Sequence, residues 1–255
     1  MPLLSGIVWV VTSKREPQPV TIIQPRAKMW SALIWYGLVM LLSAIALANG
    51  VELVNQFTNW FFLVLVPLGL LALSRRKGES LRIILHSIGL ARTCIKDALK
   101  LAVVIMPLII PLLYTVGEQQ RTAIQMVFNA PLRATISFLI SFVLALFTAG
   151  FVEEFFFRGI LQSRLAAGLG SEWRGLLVAS LLFGILHLPM YFFSPYYPTH
   201  GNLIWSVAGI ITEQTTGGVL FGVVWLRTRN LAAPVLFHAF INAIAMMSAL
   251  KIGTG

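Results

Sequence analysis

Residues 134–162 read ATISFLISFVLALFTAGFVEEFFFRGILQ, and charge enters this run only at Glu153, Glu154 and Arg158. A helix rises about 1.5 Å per residue, so the run is long enough to cross a hydrocarbon core of about 30 Å. In lipid a spanning segment must satisfy its own backbone hydrogen bonds, which a helix does. The run therefore predicts a transmembrane helix that carries charged side chains.

The whole chain shares this apolar character. Its 255 residues are 58% hydrophobic and 11% charged, with a mean hydropathy of +0.85. A soluble domain has about 25% charged residues, so the composition indicates a bilayer as the solvent. The apolar segments lie at roughly 29–49, 59–74, 97–116, 134–162, 174–193, 203–226 and 231–250. We expect an all-α, polytopic transmembrane bundle of about seven to eight membrane helices.

The basic residues predict how the chain crosses the membrane. The net charge is +10, but the basic side chains are scattered between apolar segments. Nucleic-acid binding needs a clustered basic face, so no nucleic-acid partner is expected. If the N-terminus is cytoplasmic, 16 Lys and Arg residues fall on that side and only Arg121, Arg133 and Lys251 on the other. This positive-inside bias predicts a cytoplasmic N-terminus and a C-terminus on the opposite side.

Charged side chains inside apolar segments are costly and are therefore candidates for function. Glu154 and Arg158 are four residues apart, so they can pair along one face of a helix. Glu153 points about 100° away and is free for another task. In the purely structural alternative, Glu154 and Arg158 form a structural pair and Glu153 caps a neighbouring helix.

Three more polar side chains lie in later segments. His187 closes the stretch Phe183-Gly184-Ile185-Leu186-His187, and His238 stands four residues before Asn242 on one helix face. Helical rise places Glu153, His187, His238 and Asn242 roughly 10–19 Å from the cytoplasmic ends of their segments. This common depth predicts one polar cavity in the cytoplasmic half of the bilayer.

The sixth segment adds Glu213, followed by Gly217, Gly218 and Gly222. The glycines suit close packing of helices. Glu213 could shape the cavity or bind substrate, and a structural hydrogen bond is an equal alternative.

Taken in order, Glu153-Glu154-x-x-x-Arg158, Phe183-x-x-x-His187 and His238-x-x-x-Asn242 resemble the motifs of the CPBP intramembrane proteases. These are the type II CAAX prenyl endopeptidases with their bacteriocin-processing and immunity relatives, also called the Abi family. The resemblance covers residues 153–242, and residues 217–242 also look like the last conserved block of the family. The first 130 residues resemble only a generic membrane half.

The resemblance implies hydrolysis of a peptide bond in a membrane-associated protein or peptide. Glu153 matches the catalytic glutamate of the family, and His187 matches the histidine that helps it hold and activate water. His238 and Asn242 match the pair assigned to stabilising the oxyanion. Glu154 and Arg158 complete the first motif and would orient the site.

The metal requirement of such a site has two interpretations. Glu153, His187 and His238 are a conceivable zinc set. The metalloprotease signature His-Glu-x-x-His is absent from the sequence, and an asparagine in the third motif suits hydrogen bonding better than zinc. We favour a metal-free glutamate mechanism without a cofactor, with zinc as the alternative.

The predicted organisation is a cytoplasmic N-terminal segment, 1–28, and a single transmembrane helical domain, 29–255, with its catalytic core at about 134–250. We expect a multi-pass protein of the plasma membrane. The expected partners are the lipid bilayer and a membrane-associated protein or peptide substrate.

Two other functions compete with the protease. A non-enzymatic immunity or scaffold protein of the same family would share the sequence pattern. A transporter could use the buried carboxylates as a proton relay, but it predicts inverted repeats, and the sequence shows no repeat.

Overall fold

The computed structural model describes residues 2–12, 22–51, 56–75, 79–90, 95–116 and 118–250. Within these ranges the chain forms ten helices and no strand, which confirms the predicted all-α class. The helices are α1 (Pro2–Val11), α2 (Pro25–Ala48), α3 (56–73), α4 (Leu81–Ser87), α5 (Ile95–Val116), α6 (Glu118–Asn129), α7 (Pro131–Leu169), α8 (Glu172–Phe193), α9 (Leu203–Thr228) and α10 (Ala232–Met247).

Each of the seven apolar segments coincides with a helix. By length and composition, α2, α7, α8 and α9 can each cross a membrane, while α10 and the part of α3 from Thr58 to Leu73 are shorter apolar helices. The prediction of a membrane helical bundle is confirmed by these four long helices. Six basic residues that entered the topology count lie outside the described residues: Lys14, Arg15, Arg76, Lys77, Arg92 and Lys251.

The charged segment extends beyond its predicted end at residue 162. Helix α7 continues to Leu169 through Arg164, whose side chain is buried. The Arg164 guanidinium donates to the Gly159 carbonyl oxygen (2.8 Å) and to Ser87 Oγ (3.1 Å). A charged side chain can be buried when hydrogen bonds of this kind satisfy it. Hydropathy along the chain does not reveal these hydrogen bonds, so the predicted segment ended too early.

Two π-helical turns interrupt α7, at Leu146–Gly150 and at Phe155–Gln162. They lie on either side of Glu153 and Glu154. Such wide turns are rare in helices and occur frequently at functional sites. The backbone of α7 is therefore widened directly before and directly after the two glutamates.

Small residues allow the neighbouring helices to approach α7 and α8 closely. A Cβ atom at Gly150 would lie 3.1 Å from the Val235 carbonyl oxygen and 3.2 Å from Ala239 Cβ of α10. A Cβ atom at Gly218 of α9 would lie 3.2 Å from Ser180 Cα of α8. Close approach of this kind lets short polar side chains on different helices meet.

The predicted packing role holds for two of the three glycines in the sixth segment. Gly222, like Gly218, lies against α8, since a Cβ there would come within 3.0 Å of Leu176 Cγ. A Cβ at Gly217 would meet only the Phe221 ring, at 3.9 Å. The prediction was wrong for Gly217 because its open side faces a cavity instead of a helix.

The N-terminal helix packs onto the membrane helices. Leu4 and Val8 of α1 are buried in the same apolar cluster as residues of α5 and α9. The Trp9 and Trp173 rings lie 5.0 Å apart, and Arg227 Nε donates to Thr12 Oγ1 (2.7 Å). Part of the predicted N-terminal segment is thus in contact with the helical domain.

Candidate active site

Three helices bring the predicted site residues together. Helix α7 carries the Glu153, Glu154 and Arg158 side chains, α8 carries His187, and α10 carries His238. Direct contacts of 4 Å or less join these five residues into one group. The shared depth estimated from the sequence is thus accompanied by actual proximity.

Glu154 is the buried centre of this group. Its Oε2 accepts a hydrogen bond from Arg158 Nε, and its Oε1 lies 2.9 Å from His238 Nδ1. The Glu154 and Arg158 side chains are fully buried, and the Arg158 guanidinium lies over the Phe183 ring at 5.3 Å. The pairing of Glu154 with Arg158 is as predicted. The contact with His238, 84 residues away in the chain, was not foreseen by the sequence reasoning.

His238 is held on two sides. Its Nδ1 is bonded to Glu154, and its ring stacks on Phe221 with a centroid distance of 4.7 Å and an angle of 14°. These contacts direct Nε2 towards Glu153, whose Oε2 lies 3.9 Å away. The imidazole is therefore presented at a fixed angle, with one nitrogen anchored and the other available.

His187 approaches Glu153 from the opposite helix. A carbonyl oxygen can only accept, so His187 Nδ1 donates to the Phe183 oxygen at 2.8 Å. This bond assigns the lone pair of the neutral ring to Nε2, which lies 3.9 Å from Glu153 Oε2. The Oε2 atom is buried and has no hydrogen-bond partner among the described residues. Both imidazoles thus face Glu153 at a distance too long for a direct hydrogen bond but suited to a bridging molecule.

Two cavities adjoin the group. The first, of about 110 Å³, is lined by Glu153 and His187 together with residues of α2 and α3. The second, of about 190 Å³, is lined by His238 and Asn242 with residues of α8 and α9. Glu153 of the first cavity and His238 of the second are 3.9 Å apart, so the charged group contributes to both cavities. Asn242 is brought to the second cavity beside His238, as its spacing predicted.

Glu213 lines the second cavity and also has a structural partner. Tyr191 donates its hydroxyl hydrogen to Glu213 Oε2 (2.6 Å), and Gln214 Nε2 donates to the Tyr191 hydroxyl (3.1 Å). The hydrogen-bonding alternative for Glu213 is therefore correct, and it coexists with a position at the cavity. The sequence reasoning missed Tyr191, although its place four residues after His187 on α8 was a usable signal.

Tyr197, in the loop between α8 and α9, lies close enough to the acidic side chains for its pKa to be affected by them. Burial raises the pKa of Tyr197, and the nearby Glu213 and Glu153 carboxylates add to this effect. The Tyr197 ring packs against Tyr191 with centroids 4.6 Å apart. The loop thus places the Tyr197 ring against Tyr191, near the Glu213 and Glu153 carboxylates.

The zinc alternative can be compared with the donor geometry. Two nitrogen or oxygen ligands of one tetrahedral zinc ion lie roughly 3.3 Å apart, whereas Glu153 Oε2 is 3.9 Å from each imidazole Nε2. In the part of the chain that the structure describes, no group of three His, Cys, Asp or Glu side chains is arranged to hold a metal ion. The set Glu153, His187 and His238 does not fit zinc in this arrangement.

The fold and the site together define a polytopic membrane protein with a buried carboxylate–imidazole centre. Residues 135–244 match the family of type II CAAX prenyl endopeptidase Rce1-like proteins. The matched part contains all six candidate residues from Glu153 to Asn242, and the resemblance predicted from the motifs is confirmed by this match. No curated protein and no solved structure matches the chain. The apolar helices and this match support an integral membrane protein, and the matched family is one of CAAX-protease-like intramembrane endopeptidases.

Proposed function

We propose that this protein hydrolyses a peptide bond of a membrane-associated protein or peptide, with Glu153 as the general base that activates water. The observation that carries the proposal is the environment of Glu153. Its buried Oε2 has no hydrogen-bond partner among the described residues and lies 3.9 Å from two imidazole nitrogens, and the Glu153 residue lines the first cavity. An unpartnered carboxylate oxygen beside imidazoles is what the binding of a reactive water requires.

Water is activated between Glu153 and His187. A water in this position donates one hydrogen to the carboxylate and the other to His187 Nε2, whose lone pair is available because Nδ1 donates to Phe183. Glu153 takes the proton as the water oxygen attacks the carbonyl carbon of the peptide bond. Glu153 then returns this proton to the leaving nitrogen, so the products are a carboxylic acid and an amine.

The negative charge on the carbonyl oxygen is stabilised from the second cavity. His238 Nε2 and the Asn242 side-chain amide are the donors, since both line that cavity from one face of α10. For Nε2 to donate while Nδ1 donates to Glu154, the His238 ring must carry two protons. The carboxylates at 2.9 Å and 3.9 Å favour that cation.

Glu154 and Arg158 are positioning residues in this mechanism. Arg158 neutralises Glu154, and Glu154 accepts a hydrogen bond from His238 Nδ1 and so fixes the angle of the cationic ring. Neither touches the reacting atoms. This mechanism uses no metal, since Glu153, His187 and His238 do not fit zinc in this arrangement.

The proposed placement follows the charge distribution. The protein lies in the plasma membrane with a cytoplasmic N-terminus and the active site in the cytoplasmic half of the bilayer. Residues 1–28 form the N-terminal segment, and 29–255 form one transmembrane domain with its catalytic core at about 134–250.

The decisive experiment is cleavage of a quenched fluorescent peptide, tethered to lipid vesicles, by purified protein. The wild type cleaves, while Glu153→Ala and His187→Ala lower the rate by about 10²–10⁴. Glu118→Ala, at an exposed carboxylate outside the charged group, is the matched control. Cleavage by both site variants at the wild-type rate would refute the mechanism, and no cleavage by the wild type across a peptide library would favour the non-enzymatic alternative.

A further inference from the structure

A separate pocket of about 290 Å³ lies between α2, α3 and α7. None of the six candidate active-site residues lines it. Between this pocket and the first cavity, Trp35 Nε1 of α2 donates to the Phe62 carbonyl oxygen of α3 (2.9 Å). Most of the wall is apolar and consists of Trp35, Pro67, Leu70, Leu71, Phe156 and Ile160.

One end of the pocket carries a buried cation. Arg164 is 2% exposed, and its two terminal nitrogens donate to protein oxygens. Its Nε is buried and has no hydrogen-bond partner among the described residues. An unsatisfied buried donor is costly, and it is costlier on a charged group. Arg164 lines the pocket, so its charge and an unsatisfied donor lie next to the pocket and favour an anionic group there.

The charges around Arg164 leave this end positive. Lys28 also lines the pocket and pairs with Glu79 at 2.5 Å. Lys28, Glu79 and Arg164 together carry one net positive charge. Ser31 and Ser74 also line the pocket and add polar groups to its wall.

We propose that this pocket binds an anionic phospholipid, with the phosphate against Arg164 and Lys28 and an acyl chain along the apolar wall. Two of the three helices around it, α2 and α7, are long and apolar enough to cross a membrane. Leu70 and Leu73 at its edge are 41% and 87% exposed, so the pocket opens towards hydrocarbon. Basic pockets between membrane helices on the cytoplasmic side bind anionic headgroups. The site does not depend on the proposed peptidase activity.

The test measures lipid selectivity of the full chain by native mass spectrometry. Purified protein is given equal amounts of phosphatidylglycerol and phosphatidylcholine with identical acyl chains. The wild type retains the anionic lipid at least about fivefold over the zwitterionic one, which is the contribution of one basic side chain near an anionic lipid. Lys28→Gln lowers that ratio by about fivefold.

A second variant tests the pocket itself without removing a charge. Ser31→Trp fills the pocket from an exposed position on α2, and Leu38→Trp places the same side chain on an exposed position of that helix outside both pockets. Ser31→Trp abolishes the selectivity, whereas Leu38→Trp retains it. Size-exclusion chromatography confirms that each variant is folded and monodisperse.

Three results would overturn the proposal. The first is equal retention of both lipids by the wild type, and the second is equal selectivity in Ser31→Trp and Leu38→Trp. The third is displacement of the anionic lipid by inorganic phosphate, or by an apolar peptide that has a free C-terminal carboxylate. In the peptide case, the same peptide with an amidated C-terminus does not displace the lipid. That result would make the pocket a site for a free anion or for a peptide terminus.

Discussion

Glu153 and Glu154 are adjacent in the chain, yet the structure predicts opposite consequences for replacing each by glutamine. Glu154 is fully buried and bonded at 2.9 Å to both Arg158 and His238. Both terminal nitrogens of Arg158 have no hydrogen-bond partner among the described residues, so Glu154 is the charge that compensates Arg158 there. Removing one partner of a buried ion pair costs about 3–5 kcal/mol because the other charge is left uncompensated.

Glu154→Gln should therefore lower the free energy of unfolding by about 3–5 kcal/mol. For a chain of this size, each kcal/mol corresponds to roughly 2–4 °C, so the melting temperature should fall by about 6–20 °C. Glu153→Gln should leave the melting temperature within a few degrees of wild type, because Glu153 Oε2 has no hydrogen bond to lose. It should instead lower kcat by about 10²–10⁴.

The assay is thermal unfolding in detergent, followed by tryptophan fluorescence and combined with the peptide cleavage assay. Glu118→Gln is the control, because the Glu118 side chain is exposed and exposed substitutions usually change stability by no more than about 0.5 kcal/mol. If Glu153→Gln destabilises the protein as much as Glu154→Gln, the division of roles is wrong. A stable Glu154→Gln with normal activity would refute the buried pair as the support of His238.

Three further predictions follow from the site and its packing. Asn242→Ala should lower kcat by about 10²–10³ with little change in KM, because an oxyanion donor acts in the transition state; a pure KM effect would place Asn242 in substrate binding instead. Gly150→Leu should abolish activity and lower the melting temperature, because its side chain would collide with the Val235 carbonyl oxygen of α10. Gly37→Leu is the control and should change neither, because a Cβ at Gly37 meets nothing within 4 Å. Normal activity of Gly150→Leu would contradict the close packing of α7 and α10. EDTA should leave cleavage unchanged, and loss of activity that zinc restores would refute the metal-free mechanism.

Much of the fold was predictable because hydrophobic periodicity and length are local properties. The seven apolar segments all became helices, with ends shifted by several residues where buried partners such as those of Arg164 extend a helix. The π-helical turns at Leu146–Gly150 and Phe155–Gln162 were not predictable. Those turns depend on packing with neighbouring helices, and no composition signal marks them.

The sequence by itself determined the membrane class, the pairing of Glu154 with Arg158 and the identity of the six candidate residues. Spacing along one helix and the order of the motifs carry that information without any tertiary contact. Only the tertiary structure decided that His238 bonds to Glu154 across 84 residues and that Glu153 Oε2, between two imidazoles, has no hydrogen-bond partner among the described residues. The physical reason is that helix rotation and crossing are set by close packing at positions such as Gly150 and Gly218, and a rotation of about 100° would exchange the two glutamates.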